Sequence, residues 1–213
     1  MTTENKTDTR YIADGMSPFQ RSVKRIFDCM VALVAIILFS PLFVCCYFAV
    51  RLTDGGPAIF RQERIGRFGR PFTIYKFRSM KLGSEEGEPS LLHGGDDDHR
   101  LTKVGRFLRA HHLDELPQLW NVFIGDMAFV GPRPERAYFI RLIEQQDPRY
   151  YMLYQIRPGV TSYATLYNGY TDTMEKMLRR LELDLYYLEN RSWWFDIKII
   201  VKTFLNIALG KKF

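Results

Sequence analysis

The chain has 213 residues, enough for one ordinary domain with or without an appendage, and 46% of them are hydrophobic, which excludes a disordered chain. Thirty Lys and Arg against 24 Asp and Glu leave a formal charge of +6, a balance that suits phosphates, nucleic acid or an anionic membrane surface. The three cysteines, Cys29, Cys45 and Cys46, have no metal-ligand spacing and an odd count, which argues against a disulfide framework and for reduced packing residues in a cytosol-facing protein.

Residues 1–17 are polar and read as a flexible N-terminus. In 18–29, PFQRSVKRIFDC, the spacing of Phe19, Val23, Ile26 and Phe27 beside a basic face predicts a helix lying at lipid headgroups. Residues 30–50, MVALVAIILFSPLFVCCYFAV, carry no charge. A helix of that length would measure about 31 Å, against a hydrocarbon core of about 30 Å. The segment starts too far into the chain, and lacks the small-residue cleavage pattern, to be a signal peptide.

Pro41 lacks the N–H that would bond the carbonyl of Ile37, so a bend is expected there, and the Ser40 hydroxyl can bond a carbonyl of the preceding turn. Arg21, Lys24 and Arg25 precede the segment, and a second basic cluster from Arg51 to Arg78 follows it. The positive-inside tendency therefore favours both ends in the cytosol, as a re-entrant hairpin allows. A kinked single span and a buried soluble helix stay open on these grounds.

Further along, DGGPAIF marks a turn into a short strand, and PFTIYKFRSM alternates as a second strand. The Gly- and acid-rich tract 83–99 reads as an exposed loop. Residues 102–112 read as a helix with Val104, Phe107 and Leu108 on one face. Leu116, Leu119, Trp120 and Phe123 continue a helical stripe past Pro117, which places Asp114 and Glu115 at a helix start. Residues 174–190 form a charged amphipathic helix. Residues 193–209 combine tryptophans, an apolar face and lysines, as suits a helix lying on a membrane.

The adjacent carboxylates carry the chemical interest. Acids in the first turn of a helix are ordinary capping, worth about 0.3–1 kcal/mol. Carboxylates also act as nucleophiles toward phosphoryl groups, provided Mg²⁺ and fixed cations neutralise the phosphoryl oxygens. Such cations are plentiful: Lys76 and Arg78 in KFRSM, Arg106 and Arg109 in GRFLR, Arg133 between two prolines, and Arg157 in IRPG.

From Lys24 to about Gly159 the chain closely resembles the bacterial sugar transferases, the monotopic polyprenyl-phosphate sugar-1-phosphate transferases or phosphoglycosyl transferases. The matching pieces are KRIFD, the SP inside the apolar segment, GGPAIFRQERIGRFGRPFTIYKFRSM, DHRLTKVGRFLRAHHLDELPQLWNVFIGDMAFVGPRPE and RPGVT. The resemblance implies a re-entrant membrane helix broken at Ser40-Pro41, monotopic placement on the cytosolic face of the bacterial inner membrane, and contact with membrane lipid. It implies transfer of a sugar-1-phosphate from a UDP-sugar to undecaprenyl phosphate with release of UMP.

By position, Asp114 resembles the nucleophile of an aspartyl phosphosugar intermediate and Glu115 its Mg²⁺-binding partner, with Asp114 beside it. Arg133 resembles the phosphate binder, with Lys76, Arg78, Arg109 and Arg157 as further candidates. Downstream glycosyltransferases building a surface glycan such as capsule or exopolysaccharide would follow; a homodimer fits, and nucleic acid does not. After RPGVT, relatives commonly carry a Gly-Trp-Ala-Gln-Val-Asn-Gly type of run, where this chain has SYATLYNGY at 162–170. That departure bears on sugar or nucleotide preference, not on the chemistry.

The expected fold is α-rich α+β. Residues 1–17 form the N-terminus, 18–51 the interfacial and re-entrant helices, and 52–213 a small cytosolic catalytic domain with little strand and a C-terminal amphipathic helix. The competing expectation is a membrane-surface scaffold or anionic-lipid binder without turnover.

Overall fold

A computed structural model describes residues 11–84, 99–169, 171 and 173–209. Helix α1 (Pro18–Leu38) starts at a capping box, in which Ser17 Oγ accepts from Gln20 N–H and the Gln20 side chain accepts from Ser17 N–H, with Pro18 in the first turn. The headgroup helix and the first apolar arm are thus one continuous helix. It ends at Phe39, and α2 (Ser40–Asp54) leaves at a 65° bend. Ser40 Oγ donates to the carbonyl of Ile37, 2.8 Å away, which occupies the acceptor that Pro41 cannot serve. The break falls at the expected Ser40-Pro41 step.

Among the described residues no single helix is long and apolar enough to cross a membrane; α1 and α2 together meet that test of length and composition. Ile26, Met30, Val34, Ile37, Leu38 and Phe48 stand exposed on this pair. Gly55, at φ 71°, ends α2 in the left-handed conformation that glycine adopts without penalty.

Strands β1 (Ile59–Ile65) and β2 (Pro71–Phe77) pair antiparallel, with Ile59 opposite Phe77 and Ile65 opposite Pro71. Helix α3 (Lys103–Ala110) follows, then a 3-10 turn at Leu113–Glu115 and helix α4 (Gln118–Ile124). The expected stripe of Leu116, Leu119, Trp120 and Phe123 is not what α4 buries: Gln118, Asn121 and Val122 are inside, and Trp120 is exposed. The reason is Asn121. Its side chain accepts from Tyr75 N–H at 3.1 Å and donates to the Thr73 carbonyl at 2.7 Å, so the helix is rolled to seat a polar residue on the β2 backbone.

Arg25 of α1 donates to the carbonyls of Val122 and Phe123 at the end of α4, at 2.6 and 2.7 Å. This charged cap satisfies two orphan acceptors and suits the negative end of the helix dipole. Strands β3 (Ala128–Val130) and β4 (Gly159–Thr161) form a second, parallel pair. Between them run α5 (Ala137–Gln146) and a 3-10 segment, Pro148–Gln155.

Helices α6 (Tyr163–Asn168), α7 (Met174–Asn190) and α8 (Trp193–Ala208) complete the chain. The main core packs Ile143, Met152, Leu181, Leu185 and Leu188 between α5, the 3-10 segment and α7. Lys24 joins α1 to α8 by pairing with Asp28 at 3.4 Å and Asp196 at 2.7 Å. Helix α8 buries Asp196 and Ile199 and exposes Trp194, Val201, Phe204 and Leu205, the amphipathic division expected of it.

Residues 11–17, read as part of a loose terminus, are held down: Gly15 N–H donates to the Leu188 carbonyl, and Asp14 pairs with Arg21 and Arg191. Most of the acidic tract 83–99 lies outside the described residues.

Candidate active site

The antiparallel hairpin, the end of α3 and the Gly131–Glu135 loop converge on one cavity of about 290 Å³, whose wall includes Lys76, Arg78, Ser79, Arg109, Asp114 and Arg133. A local device brings Asp114 there, while Glu115, which does not line the cavity, pairs with Lys76. Gly105 lets α3 lie directly on the Ser79 backbone, because a side-chain carbon at that position would collide with the Ser79 carbonyl. His112 then adopts φ 54°, which turns the chain sharply after α3 and begins the 3-10 turn that carries Asp114 and Glu115. The pair therefore sits in a tight turn before α4 rather than in the first turn of a long helix.

The two carboxylates have different surroundings. Asp114 is buried, lines the cavity, and receives no hydrogen bond among the described residues. Burial first, and the neighbouring Glu115 charge second, push its carboxyl up, against the opposing charges of Lys76, Arg109 and His112. Glu115 is held well below the usual carboxylate range. Burial opposes this, but the Lys76 and Arg133 charges and the Lys76 hydrogen bond outweigh it. Lys76 Nζ stands 2.6 Å from Glu115 Oε1.

The remaining cations are fixed by neighbours. Arg109 Nε donates to Ser79 Oγ at 3.0 Å. Arg133 approaches Glu135 at 4.0 Å, and Glu135 is itself buried between Arg180 at 2.9 Å and Arg64 at 3.8 Å. Glu135 and Ser79 were not among the residues singled out from the sequence. A glutamate two positions after the Pro-Arg-Pro arginine was the available signal for the first.

Two of the sequence candidates stand differently. Arg78 lines the cavity but is engaged: it makes a two-pronged pair with Asp54 and donates through Nε to the Pro57 carbonyl at 2.8 Å. That clasp ties the end of α2 to the end of β2 and leaves Arg78 few donors for a phosphate. Arg157 does not reach the cavity. Its Nε is bound to the Gly125 carbonyl at 2.7 Å, and it lines a different cleft, because Gly159 pairs with Ala128 and so holds the Arg-Pro-Gly segment beside β3. The departing run 162–170 forms α6 through Asn168, with Tyr163 stacked among Tyr167, Tyr186 and Phe195. None of its described residues lines the cavity.

Among the described residues no group of three His, Cys, Asp or Glu side chains could hold a metal ion. Of the two acids Asp114 lines the cavity and Glu115 is paired with Lys76 beside it; one or two carboxylates are what a magnesium ion of the substrate-bridged kind commonly takes, its shell completed by phosphate oxygens and water. A carboxylate facing an open cavity ringed by Lys76, Arg109 and Arg133 is suited to meeting a polyanion in which a phosphorus atom is to be attacked.

Comparison with known proteins points to transfer of sugar phosphates. Residues 19–210 match the family model described as bacterial sugar transferase. The chain is 39% identical over 194 residues to a UDP-N-acetylgalactosamine-undecaprenyl-phosphate N-acetylgalactosaminephosphotransferase of Aeromonas hydrophila, covering 91% of this chain and 45% of that protein. It is 42% identical over 197 residues to a UDP-glucose:undecaprenyl-phosphate glucose-1-phosphate transferase of Escherichia coli strain K12, covering 92% and 41%. The chain thus spans less than half the length of these two relatives. A shorter relative, an uncharacterized sugar transferase EpsL of Bacillus subtilis strain 168, is 35% identical over 189 residues that cover 89% of each chain.

Proposed function

The chain belongs to the bacterial sugar transferase family, and from that premise we propose that it moves a sugar-1-phosphate from a UDP-sugar to undecaprenyl phosphate on the cytosolic face of the bacterial inner membrane. The observation that carries this is the buried Asp114 carboxylate, unengaged by any described donor, in the wall of a cavity that also presents Lys76, Arg109 and Arg133.

An Asp114 oxygen attacks the phosphorus that bears the sugar and forms an acyl phosphate. The bond from that phosphorus to the bridging oxygen breaks, and UMP leaves with the electron pair. The phosphate oxygen of undecaprenyl phosphate then attacks the same phosphorus, the bond to Asp114 breaks, and the carboxylate is regenerated as the lipid diphosphate sugar departs. Two displacements at one phosphorus make the order ping-pong.

Lys76, Arg109 and Arg133 offset the charge that gathers on the phosphoryl oxygens, and Arg133, set between two prolines, holds its direction with little freedom to lose. Glu115, with Asp114 beside it, would hold magnesium, which when bound adds positive charge against the diphosphate. The bent α1–α2 pair would enter and leave the bilayer on one face and so keep the cavity near the lipid phosphate. The reaction would begin a surface glycan such as a capsule or exopolysaccharide, with downstream glycosyltransferases taking the product.

The test is UMP release by the full chain in lipid nanodiscs, given undecaprenyl phosphate, Mg²⁺ and a panel of UDP-sugars. Release from at least one donor is expected, falling by about 10³-fold or more in Asp114→Asn. Equal release by the two proteins would remove Asp114 from the chemistry, and silence across the panel would favour a scaffold.

A further inference from the structure

A second cationic cleft lies away from the Asp114 cavity. It is open to solvent, holds about 30 Å³, and has Ala128 and Val130 of β3 as its floor. Six cations from four parts of the fold face it: Arg21, Lys24 and Arg25 of α1, Arg67 of the turn between β1 and β2, Arg157 before β4, and Arg191 between α7 and α8. Their volume allows about two water-sized atoms, enough for the leading oxygens of an oxyanion.

Three of these cations are spent on the fold. Arg25 caps α4, Lys24 pairs with Asp28 and Asp196, and Arg21 pairs with Asp14 at 3.3 Å. The other three are engaged less fully: Arg191 shares Asp14 with Arg21, and Arg67 and Arg157 have no carboxylate in salt-bridge contact among the described residues. Arg67 and Arg157 each use only Nε, on the carbonyls of Gln155 at 3.0 Å and Gly125 at 2.7 Å, and their terminal nitrogens bond no acceptor among the described residues. Those Nε bonds fix the stems and leave the forks presented.

Arg191 is 6% exposed, and among the described residues its Nε has no hydrogen-bond acceptor, although Asp14 lies 3.4 Å away. Its Nη2 meets only the sulfur of Met16, at 3.2 Å, a weak acceptor for a guanidinium. A buried guanidinium so poorly satisfied costs stability unless something else accepts its protons. Burial, and after it mutual repulsion with neighbouring arginines, lowers the guanidinium pKa of both Arg67 and Arg157. Among the described residues, the carboxylates set against the six cations are Asp14, Asp28 and Asp196.

We propose that this cleft is a second anion site, separate from the catalytic cavity, which takes a phosphate group through Arg67, Arg157 and Arg191. The ligand class is a phosphate ester, carried either by a lipid headgroup or by a soluble phosphate compound. Arginine forks suit such oxygens, two N–H groups to each pair. Binding there would tie α1 to β3 and to the α7–α8 connection, the elements whose arginines surround it.

The experiment is thermal unfolding of the full chain in phosphatidylcholine nanodiscs, with sodium phosphate titrated against sodium chloride at equal ionic strength. A second arm replaces part of the lipid by phosphatidylglycerol without free phosphate. A saturable rise in Tm of about 3–6 °C at tenfold excess over the dissociation constant is expected in one arm or both. A rise with free phosphate identifies a soluble source, and a rise only on phosphatidylglycerol identifies a headgroup.

Arg67→Gln and Arg157→Gln should each unfold, without ligand, close to the native temperature, because a lost bond is offset by relief of repulsion, and should lose the rise. Arg133→Gln, in the other cavity, should keep it. No rise beyond chloride in either arm would overturn the site. So would a rise that survives in both cleft variants, or one that disappears with Arg133→Gln.

Discussion

The asymmetry between Asp114 and Glu115 has a consequence in pH. Glu115, held low by Lys76 and Arg133, stays ionised into acid, whereas Asp114 is pushed up by burial and then by Glu115, so in the proposed mechanism its ionisation limits attack. UMP release should therefore fall as pH drops through the raised Asp114 value. Glu115→Gln removes the like charge but not the burial, so this acid limb should move to lower pH without reaching that of a free aspartate, while kcat falls. A pH profile of both proteins reads this, and a limb that stays put or moves upward would contradict it. Asp184 of α7 is the opposite case: fully enclosed, with one oxygen lacking a hydrogen-bond partner among the described residues, it is raised to about 8, chiefly by burial. Its folded form keeps a proton that the unfolded chain gives up near 3.8, so the stability it contributes is present below about pH 4 and is lost as pH rises toward about 8. Asp184→Asn should remove that loss, which is on the order of a few kcal/mol. Denaturant midpoints at pH 5 and pH 8 should differ less in the variant, and an unchanged difference would mean that Asp184 is not the group responsible.

At the scale of elements, the Arg78–Asp54 clasp separates a structural arginine from a phosphate binder. Asp54→Asn keeps the side-chain shape and removes the charge that engages Arg78, so stability should fall by about 1–3 kcal/mol. UMP release should stay within about twofold of native, since Arg78 serves the α2–β2 junction. A large loss of turnover with unchanged stability would instead return Arg78 to the site. What could be read beforehand, and what could not, follows the range of the interactions. The β1–β2 hairpin, α7 and the amphipathic face of α8 announce themselves by local periodicity and local turn residues, and they fall where that periodicity places them. The roll of α4 was hidden, because it is set by Asn121 reaching a strand that ends some forty residues earlier. So was the fate of Arg78 and Arg157, each decided by a partner distant in sequence: Asp54 for one, and the pairing of β3 with β4 for the other. Strands of three residues in parallel register leave almost no periodic trace.

Across the whole molecule, apolar and basic surfaces are sorted by position. The exposed apolar side chains of α1 and α2 belong to the bent pair, α8 adds Trp194, Phe204 and Leu205, and the cations of the candidate cavity come from β1, β2 and the residues just after it, α3 and the Pro-Arg-Pro loop. A catalyst that joins a soluble sugar nucleotide to a lipid phosphate needs this division, because the two substrates arrive from different phases. The site was legible in outline from LDELP and PRP, since adjacent acids and a rigid arginine are local features. The depth of Asp114 and its unengaged carboxylate were not, for they depend on Gly105 meeting Ser79 and on the left-handed turn at His112. The account stands most directly on a covalent intermediate at that carboxylate. The decisive measurement is a single-turnover incubation of the full chain with its UDP-sugar and Mg²⁺ but no undecaprenyl phosphate, followed by quenching, UMP quantification and mass analysis of the protein. Close to one UMP per active protein is expected, with a matching sugar-phosphate adduct on Asp114 that is discharged when undecaprenyl phosphate is added. UMP that appears only once the lipid phosphate is present, with no adduct at any time, would contradict it.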